Sequence, residues 1–283
     1  MAAGDIIHVT GGLKGRKAVA FHDGAAEGIN IDTFAAGRVG ANDTVGTFTA
    51  WINVPDITGT YNIVGCGQSG AVEYFYISVD AGRIHYKAAQ AGPDVNCDII
   101  TTAIVIKPHT WQHIALVQNA NVGKGPDIYV DGVLITGITE TDITECEAWF
   151  DLWANIDGGH IGAEDSVGGG AALTNNFLGA ISSVKYWNRA LSSAEVAQDK
   201  EEQALTDDST YLKANWDFDN DYVNAANPGT YNGAAEGTTI LVNNYDEFTS
   251  RFRFSPSAAP VVADKILFAV NNNTGYAIVI KAA

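Results

Sequence analysis

The stretch "GAISSVKYWNRALSSAEV", residues 179–196, joins an apolar strand, a Trp-Asn-Arg corner and the start of a helix. Phe177, Ile181, Val184 and Trp187 suit a strand and its exit, Asn188 and Arg189 shape the corner, and Leu191 anchors the helix against a sheet. Ser192 followed three residues later by Glu195 is a capping box, in which hydroxyl and carboxylate each satisfy an orphan backbone N–H at a helix start. Large aromatics beside a capped helix are usually core. The corner therefore reads as a device of the fold rather than as a working site.

Outward from this stretch the chain is rich in short β runs punctuated by Gly, Asn and Asp: "TFTAWINV", "EYFYISV", "GRIHYKA", "WQHIALVQ", "DIYVDGVLITG" and, near the end, "KILFAV" and "YAIVIKA". That spacing predicts an all-β sandwich or barrel. In "WQHIALVQ" both parities are partly apolar, which marks an interior strand covered on both faces. Asp131-Gly132 sits between two β runs and can take the positive φ of a tight primed turn, so it predicts a hairpin. The helix beginning after Ser192 is the one helix the pattern argues for.

The 283 residues carry 33 Asp and Glu against 16 Lys and Arg, a formal charge of −17, with 46% hydrophobic residues. The composition suits a packed core, and the acidity repels phosphate backbones and anionic lipid, so neither nucleic acid nor a membrane is an expected partner. Cys66, Cys97 and Cys146 show no CxxC or metal spacing, and their odd number predicts free thiols made in a reducing compartment. The N-terminus lacks the apolar run of a signal peptide. Three regions are expected. Residues 1–17 form an arm with the basic residues Lys14, Arg16 and Lys17, residues 18–243 form the main domain, and residues 244–283 form a β tail that carries Arg251 and Arg253.

Several segments resemble the laminin-G-like jelly rolls of the concanavalin A-like lectin and glucanase superfamily. "AVAFHDGAAEGINI" is similar to the opening strand, "FTAWINV" to the aromatic second element, and "TWQHIALVQ" to the Trp-x-His strand. "IYVDGVLITG", "HIGAED" and "FLGAISSVKYWNRALSSAEV" follow in the family's order. "YLKANWDFDNDYVNAANPGTYNGAAEG" resembles the Trp-x-Phe-Asp strand and Asn-Gly turn that often flank such domains. The resemblance implies a two-sheet antiparallel jelly-roll sandwich with one concave sheet, one short surface helix and extended terminal segments.

The superfamily includes glucanases with a Glu-x-Asp-x-x-Glu strand, and "ETDITE" at 140–145 has that spacing. On a regular strand Glu140 and Asp142 share a face while Glu145 points away, which does not assemble the carboxylate pair that glycoside hydrolysis requires. A solvated acidic loop is the expected reading. No cofactor is expected unless it is calcium, for which Asp23, Asp157 and Asp165, with Glu164, are the candidate ligands; Asp-Gly turns account for the first two without a metal. His109 and His113 do not share a helix face, no Gly-x-Ser-x-Gly elbow is present, and "GGLKG" lacks the remaining P-loop residues.

These readings predict a non-enzymatic structural or decoration protein on a phage or viral particle. Its terminal basic residues would contact virion coat subunits or further copies of the chain in a homo-oligomer, and its localisation would be the virion. The alternative is an extracellular lectin-like adhesion module, exported without a signal peptide, whose glycan contacts would be Trp149, Trp153 and Tyr186 with the loop 163–176; the bland reading of those two tryptophans is core. A glycoside hydrolase ranks last.

Overall fold

The computed structural model describes residues 18–21, 27–68, 73–90, 95–121, 123–153, 155–164, 173–218, 221–237, 239–242, 265–271 and 275–281. The first half of the chain forms β1 (Ala18–Phe21), β2 (Gly28–Asn30), α1 (Asp32–Ala41), β3 (Gly46–Asn53), β4 (Thr60–Gly67), β5 (Tyr74–Asp80), β6 (Arg83–Ala89), β7 (Val95–Thr101), β8 (Gln112–Gln118), β9 (Asp127–Val130), β10 (Val133–Leu134) and β11 (Ile138–Asp142). There follow β12 (Gly158–Ile161), β13 (Gly179–Trp187), α2 (Ser193–Lys200), α3 (Asp208–Tyr211), β14 (Leu212–Trp216), β15 (Ala234–Glu236), β16 (Ile240–Val242), β17 (Lys265–Asn271) and β18 (Gly275–Lys281).

One sheet runs β10-β9-β8-β3-β13-β1-β16 with β14 also on β13, and a second runs β11-β7-β6-β5-β4-β12-β2-β15. Every described pairing is antiparallel, and the two faces enclose one core, so the jelly-roll sandwich expected from the sequence is the fold. β17 and β18 pair in register from Lys265↔Lys281 to Asn271↔Gly275, as a separate two-stranded sheet.

Period-two alternation decides what enters the core. Phe75, Ile77 and Val79 of β5 and Ile84, Tyr86 and Ala88 of β6 point inward and are buried. The core is closed at one end by the segment before β12, which drives Trp149, Phe150 and Trp153 between the sheets. Trp153 stacks on Phe75 with centroids 4.9 Å apart, and Trp149 donates from Nε1 to Tyr186 Oη at 3.0 Å. Gly46 is required beneath this contact, because a Cβ there would lie 2.5 Å from Trp149 Nε1 and 2.8 Å from Tyr186 Oη.

The opening stretch folds as read. β13 crosses the middle of its sheet, Trp187 is buried, and its Nε1 donates to Asp208 at 2.8 Å. Ser192 and Glu195 make both halves of the capping box, and Arg189 pairs with Glu195 at 2.7 Å, which holds that carboxyl down at about 2. α2 then lays Val196 on an outer cluster of Ala115, Val117, Tyr129, Trp187, Leu191 and Leu205. This covers the second face of β8, the strand that read as covered on both sides. The Asp131-Gly132 hairpin is also present, with φ of 53° and 78°.

Two expectations are corrected. Cys97 and Cys146 form a disulfide across 49 residues, with Cys66 buried outside that bond; the odd count had hidden a pair that only tertiary folding brings together. Moreover, α2 is not the only helix, since α1 forms without a side-chain cap and buries Phe34 and Ala35. The arm 1–17 lies outside the described residues, as do Lys14, Arg16, Lys17, Asp23, Asp165, Arg251 and Arg253.

Two predictions follow from these contacts. Non-reducing peptide mapping is expected to recover Cys97 linked to Cys146, and reduction to lower unfolding free energy by about 2–4 kcal/mol; alkylation of both cysteines in the native, unreduced protein would refute the bond. Asp199 of α2 is buried, which by itself raises its carboxyl, but a bond with His113 at 3.0 Å and Lys185 at 2.5 Å bring it below its ordinary 3.8 to about 2. Its contribution, about 2 kcal/mol, is fully present above pH ~4 and is lost as pH falls through ~2. Asp199→Asn is expected to flatten the stability profile between those pH values, measured by denaturant titration.

Candidate functional site

The two outer faces of the sandwich differ. That of the β3–β8–β13 sheet is largely closed, by α2 over one half and by packing among Ala18, Trp111 and Ala180 elsewhere. The outer face of the β4–β5–β6–β7 sheet carries half-buried aromatic and charged side chains instead.

That face follows from the alternation that builds the core. Since Phe75, Ile77, Tyr86 and Cys97 point inward, Tyr74, Tyr76, His85, Lys87 and Asp98 must point outward. Cross-strand register aligns His160, Gly65, Tyr76, Lys87 and Asp98 in a row across five strands. The Tyr74 and Tyr76 rings are parallel within 5°, with centroids 6.0 Å apart, and His85 stands edge-on to Tyr76 at 5.8 Å. The register partners of Tyr74 and Tyr76 on β4 are Gly67 and Gly65, so no β4 side chain stands at those positions.

Asp98 organises the charges. Its Oδ1 meets His85 Nε2 at 2.8 Å and its Oδ2 meets Lys87 Nζ at 3.4 Å, with all three side chains between 16% and 25% exposed. Glu164 lies on the other flank, paired with Asn175 at 2.5 Å. Burial raises the Tyr76 hydroxyl well above its ordinary value of 10.0, and the charges of Glu164, Asp98 and Asp80 push the same way. Burial also raises Tyr74, against the pull of Lys87. Both phenols stay neutral and can donate and accept hydrogen bonds. The face thus offers two flat rings beside a carboxylate and an ammonium, an arrangement suited to holding a polar ring.

The residues expected from sequence lie elsewhere. Trp149, Trp153 and Tyr186 are 0%, 1% and 0% exposed, so they are core and not ligand contacts. Their rings are what the two sheets close around, and Tyr186 spends its hydroxyl on Asp43 at 3.0 Å. Asp157 is exposed where the chain enters β12, its N–H bonded to Gly67 O at 3.2 Å. Among the described residues no three His, Cys, Asp or Glu side chains are grouped to hold a metal.

The acidic run also differs from its regular-strand reading. A bulge in β11 pairs Glu140 with inward-facing Ile99 but Asp142 with outward-facing Asp98, so the two do not share a face. Glu145 instead accepts from Asn96 Nδ2 at 3.0 Å. His109 lies in a turn with φ of 56°, and His113 is buried against Asp199. Tyr74, Tyr76, His85, Lys87 and Asp98 were not singled out from sequence. The period-two reading of "EYFYISV" and "GRIHYKA" would have found four of them, because it places Tyr74 with Tyr76 and His85 with Lys87 on one face.

No curated protein matches the chain. Among solved structures, the CBM40 domain of the Ruminococcus gnavus IT-sialidase, bound to alpha2,3 sialyllactose, is similar with a TM-score of 0.52 at 13% identity, covering 67% of this chain and 100% of that one. A Bacteroides ovatus protein gives 0.50 at 19% identity, over 82% of this chain and 60% of its own. The leech intramolecular trans-sialidase gives 0.51 at 17%, over 67% of this chain and 29% of its own. At these identities the likeness is one of fold. The profile of one family, a laminin-G type, matches residues 12–197, which span β1 to α2, and the chain accordingly belongs to the concanavalin A-like lectin/glucanases superfamily.

Proposed function

We propose that this chain is a lectin-like carbohydrate-binding module whose glycan-contacting surface is the outer face of β5, β6 and β7. The observation that carries the proposal is the parallel Tyr74–Tyr76 pair beside Lys87 and Asp98. A pyranose has an apolar C–H face and a rim of hydroxyls. The first suits the negative face of an aromatic ring, and the second suits fixed charged donors and acceptors. The sialyllactose-bound CBM40 structure is a precedent for sugar binding on this fold, at an identity that transfers no residue. The proposed role is binding without catalysis: Glu140 and Asp142 occupy opposite faces, and Glu145 is committed to Asn96.

A second reading is favoured by the separate β17–β18 sheet, which follows a sandwich that is already closed. An isolated two-stranded hairpin is at best marginally stable in water, so such a segment gains from a partner surface. In this reading the terminal segments attach the module to the coat of a phage or viral particle, and the jelly roll is displayed as decoration. The Cys97–Cys146 bond suits display outside a reducing cytoplasm, whether on a released particle or as an extracellular module.

Both readings are testable. Tyr76→Ala is expected to weaken binding to a retained array glycan about tenfold, and Tyr76→Phe to keep most of it, with little change in melting temperature for either. Equal retention of glycan by wild type and the Tyr74→Ala/Tyr76→Ala double variant would place any sugar site elsewhere. For the attachment reading, deletion of residues 244–283 is expected to abolish co-sedimentation with purified particles while leaving the sandwich folded by circular dichroism. Unchanged co-sedimentation would remove the tail from that role.

A further inference from the structure

The electrostatics of the same face restrict what it takes, an inference that rests on the glycan-binding reading. Four charged groups act on the tyrosine pair: Lys87 on Tyr74, Asp80 on Tyr76, and Glu164 and Asp98 on both. Three of the four are carboxylates. The one ammonium among them is already matched, because Lys87 Nζ lies 3.4 Å from Asp98 Oδ2 while His85 occupies Oδ1 at 2.8 Å. A sugar carboxylate or sulfate entering here would have to displace Asp98 from Lys87 and would meet Glu164 on the opposite flank. The whole chain adds a net −17 to that local field.

A neutral sugar meets the reverse situation. Its hydroxyls donate to the carboxylate oxygens of Asp98 and Glu164, and its ring oxygens and hydroxyls accept from the neutral phenols and Lys87. A hydroxyl makes a charge-assisted hydrogen bond to a carboxylate, stronger than one between neutral groups, whereas a second anion at short range is strongly disfavoured. The aromatic pair contributes contact area without adding charge.

We infer that the Tyr74–Tyr76 face selects neutral pyranosides and excludes glycans bearing carboxylate or sulfate groups. The exclusion comes from the carboxylates that flank the ring pair, supported by the acidity of the whole molecule. It therefore differs in its salt response from the stacking that holds the neutral ligand: screening relieves the first and leaves the second nearly unchanged.

The test is a glycan array that pairs neutral oligosaccharides with their sialylated and sulfated counterparts, lactose beside 3′-sialyllactose among them, probed with wild type, Tyr76→Ala and Glu164→Lys. Wild type is expected to retain neutral glycans and to bind each anionic counterpart at least about tenfold more weakly at low salt. The gap is expected to narrow as salt rises, and Glu164→Lys is expected to recover much of the anionic binding. Anionic glycans bound as tightly as neutral ones, with both lost in Tyr76→Ala, would overturn the selectivity while leaving the site in place. If wild type retained no glycan, the glycan reading itself would fall; if Tyr76→Ala retained all of them equally, the sugar site would lie elsewhere; either outcome removes the selectivity with it.

Discussion

Everything else in the sandwich is arranged around the aromatic wedge that the segment before β12 drives between the sheets. Trp149 and Trp153 lie against Phe75 at 5.5 Å and 4.9 Å, and Phe150 meets Phe34 of α1 edge-on at 6.0 Å. Each such ring removes a large apolar surface from water, and the edge and stacked contacts add a further ~0.5–1.5 kcal/mol per pair. The polar tips are accommodated by one buried chain of bonds. Trp149 donates to Tyr186, Tyr186 to Asp43, and Asp43 pairs with Arg38 at 3.2 Å, whose second nitrogen donates to Tyr231 at 2.7 Å. This chain joins the wedge, β13, α1 and the segment before β15 in one network. A charge pair this buried keeps its place only because each member is hydrogen-bonded to others.

The wedge also sets the candidate site, through the shortest possible connection. Tyr74 and Tyr76 flank Phe75 in sequence, and His85 and Lys87 flank Tyr86, so the residues that pack on the wedge alternate with those that face outward. The disulfide works in the same direction on the next strand. Cys97 points inward to Cys146 just ahead of the wedge, while its neighbours Asn96 and Asp98 face out. Asn96 ties the same turn from outside, donating to Glu145 and accepting from the Glu145 N–H at 2.9 Å. A slip of one residue in any of these strands would exchange core and surface, so the core specifies the register of the site.

How much of this was legible in the sequence depends on whether the signal was local. The Asp131-Gly132 turn and the Ser192–Glu195 cap are local chemistry and could be read directly. The disulfide is not local: cysteines 49 residues apart become neighbours only once β7 and the turn after β11 are in place. α1 escaped because "DTFAAGRVGA" contains two glycines and no cap, both poor helix signals. Packing overrides that propensity. Gly37 is needed where a Cβ would lie 2.5 Å from the Tyr231 ring, and Phe34 touches Tyr186, Trp216 and Tyr231 within 5.7 Å. At the site the tryptophans drew attention as aromatics near loops, whereas the tyrosines were plain members of a regular strand. Size argued for stacking in both cases; strand parity turns Tyr74 and Tyr76 outward, whereas adjacent Trp149 and Phe150, outside any strand, both pack inward.

That parity has a functional consequence. A ligand surface built on loops has to be ordered when the ligand arrives, and the ordering cost subtracts from affinity. Tyr74 and Tyr76 are held by a strand whose alternate residues are locked in the core, with paired neighbours on both sides. Asp98 is held by His85 and Lys87, and Lys87 in turn by Asp98. The surface is therefore preorganised before any ligand is present, as recognition by a rigid scaffold requires. In the proposed reading the same rigidity limits it, because Asp98, anchored by His85 and Lys87, stays in place when an anion approaches. In that reading, preorganisation and selection against charge are two effects of one arrangement.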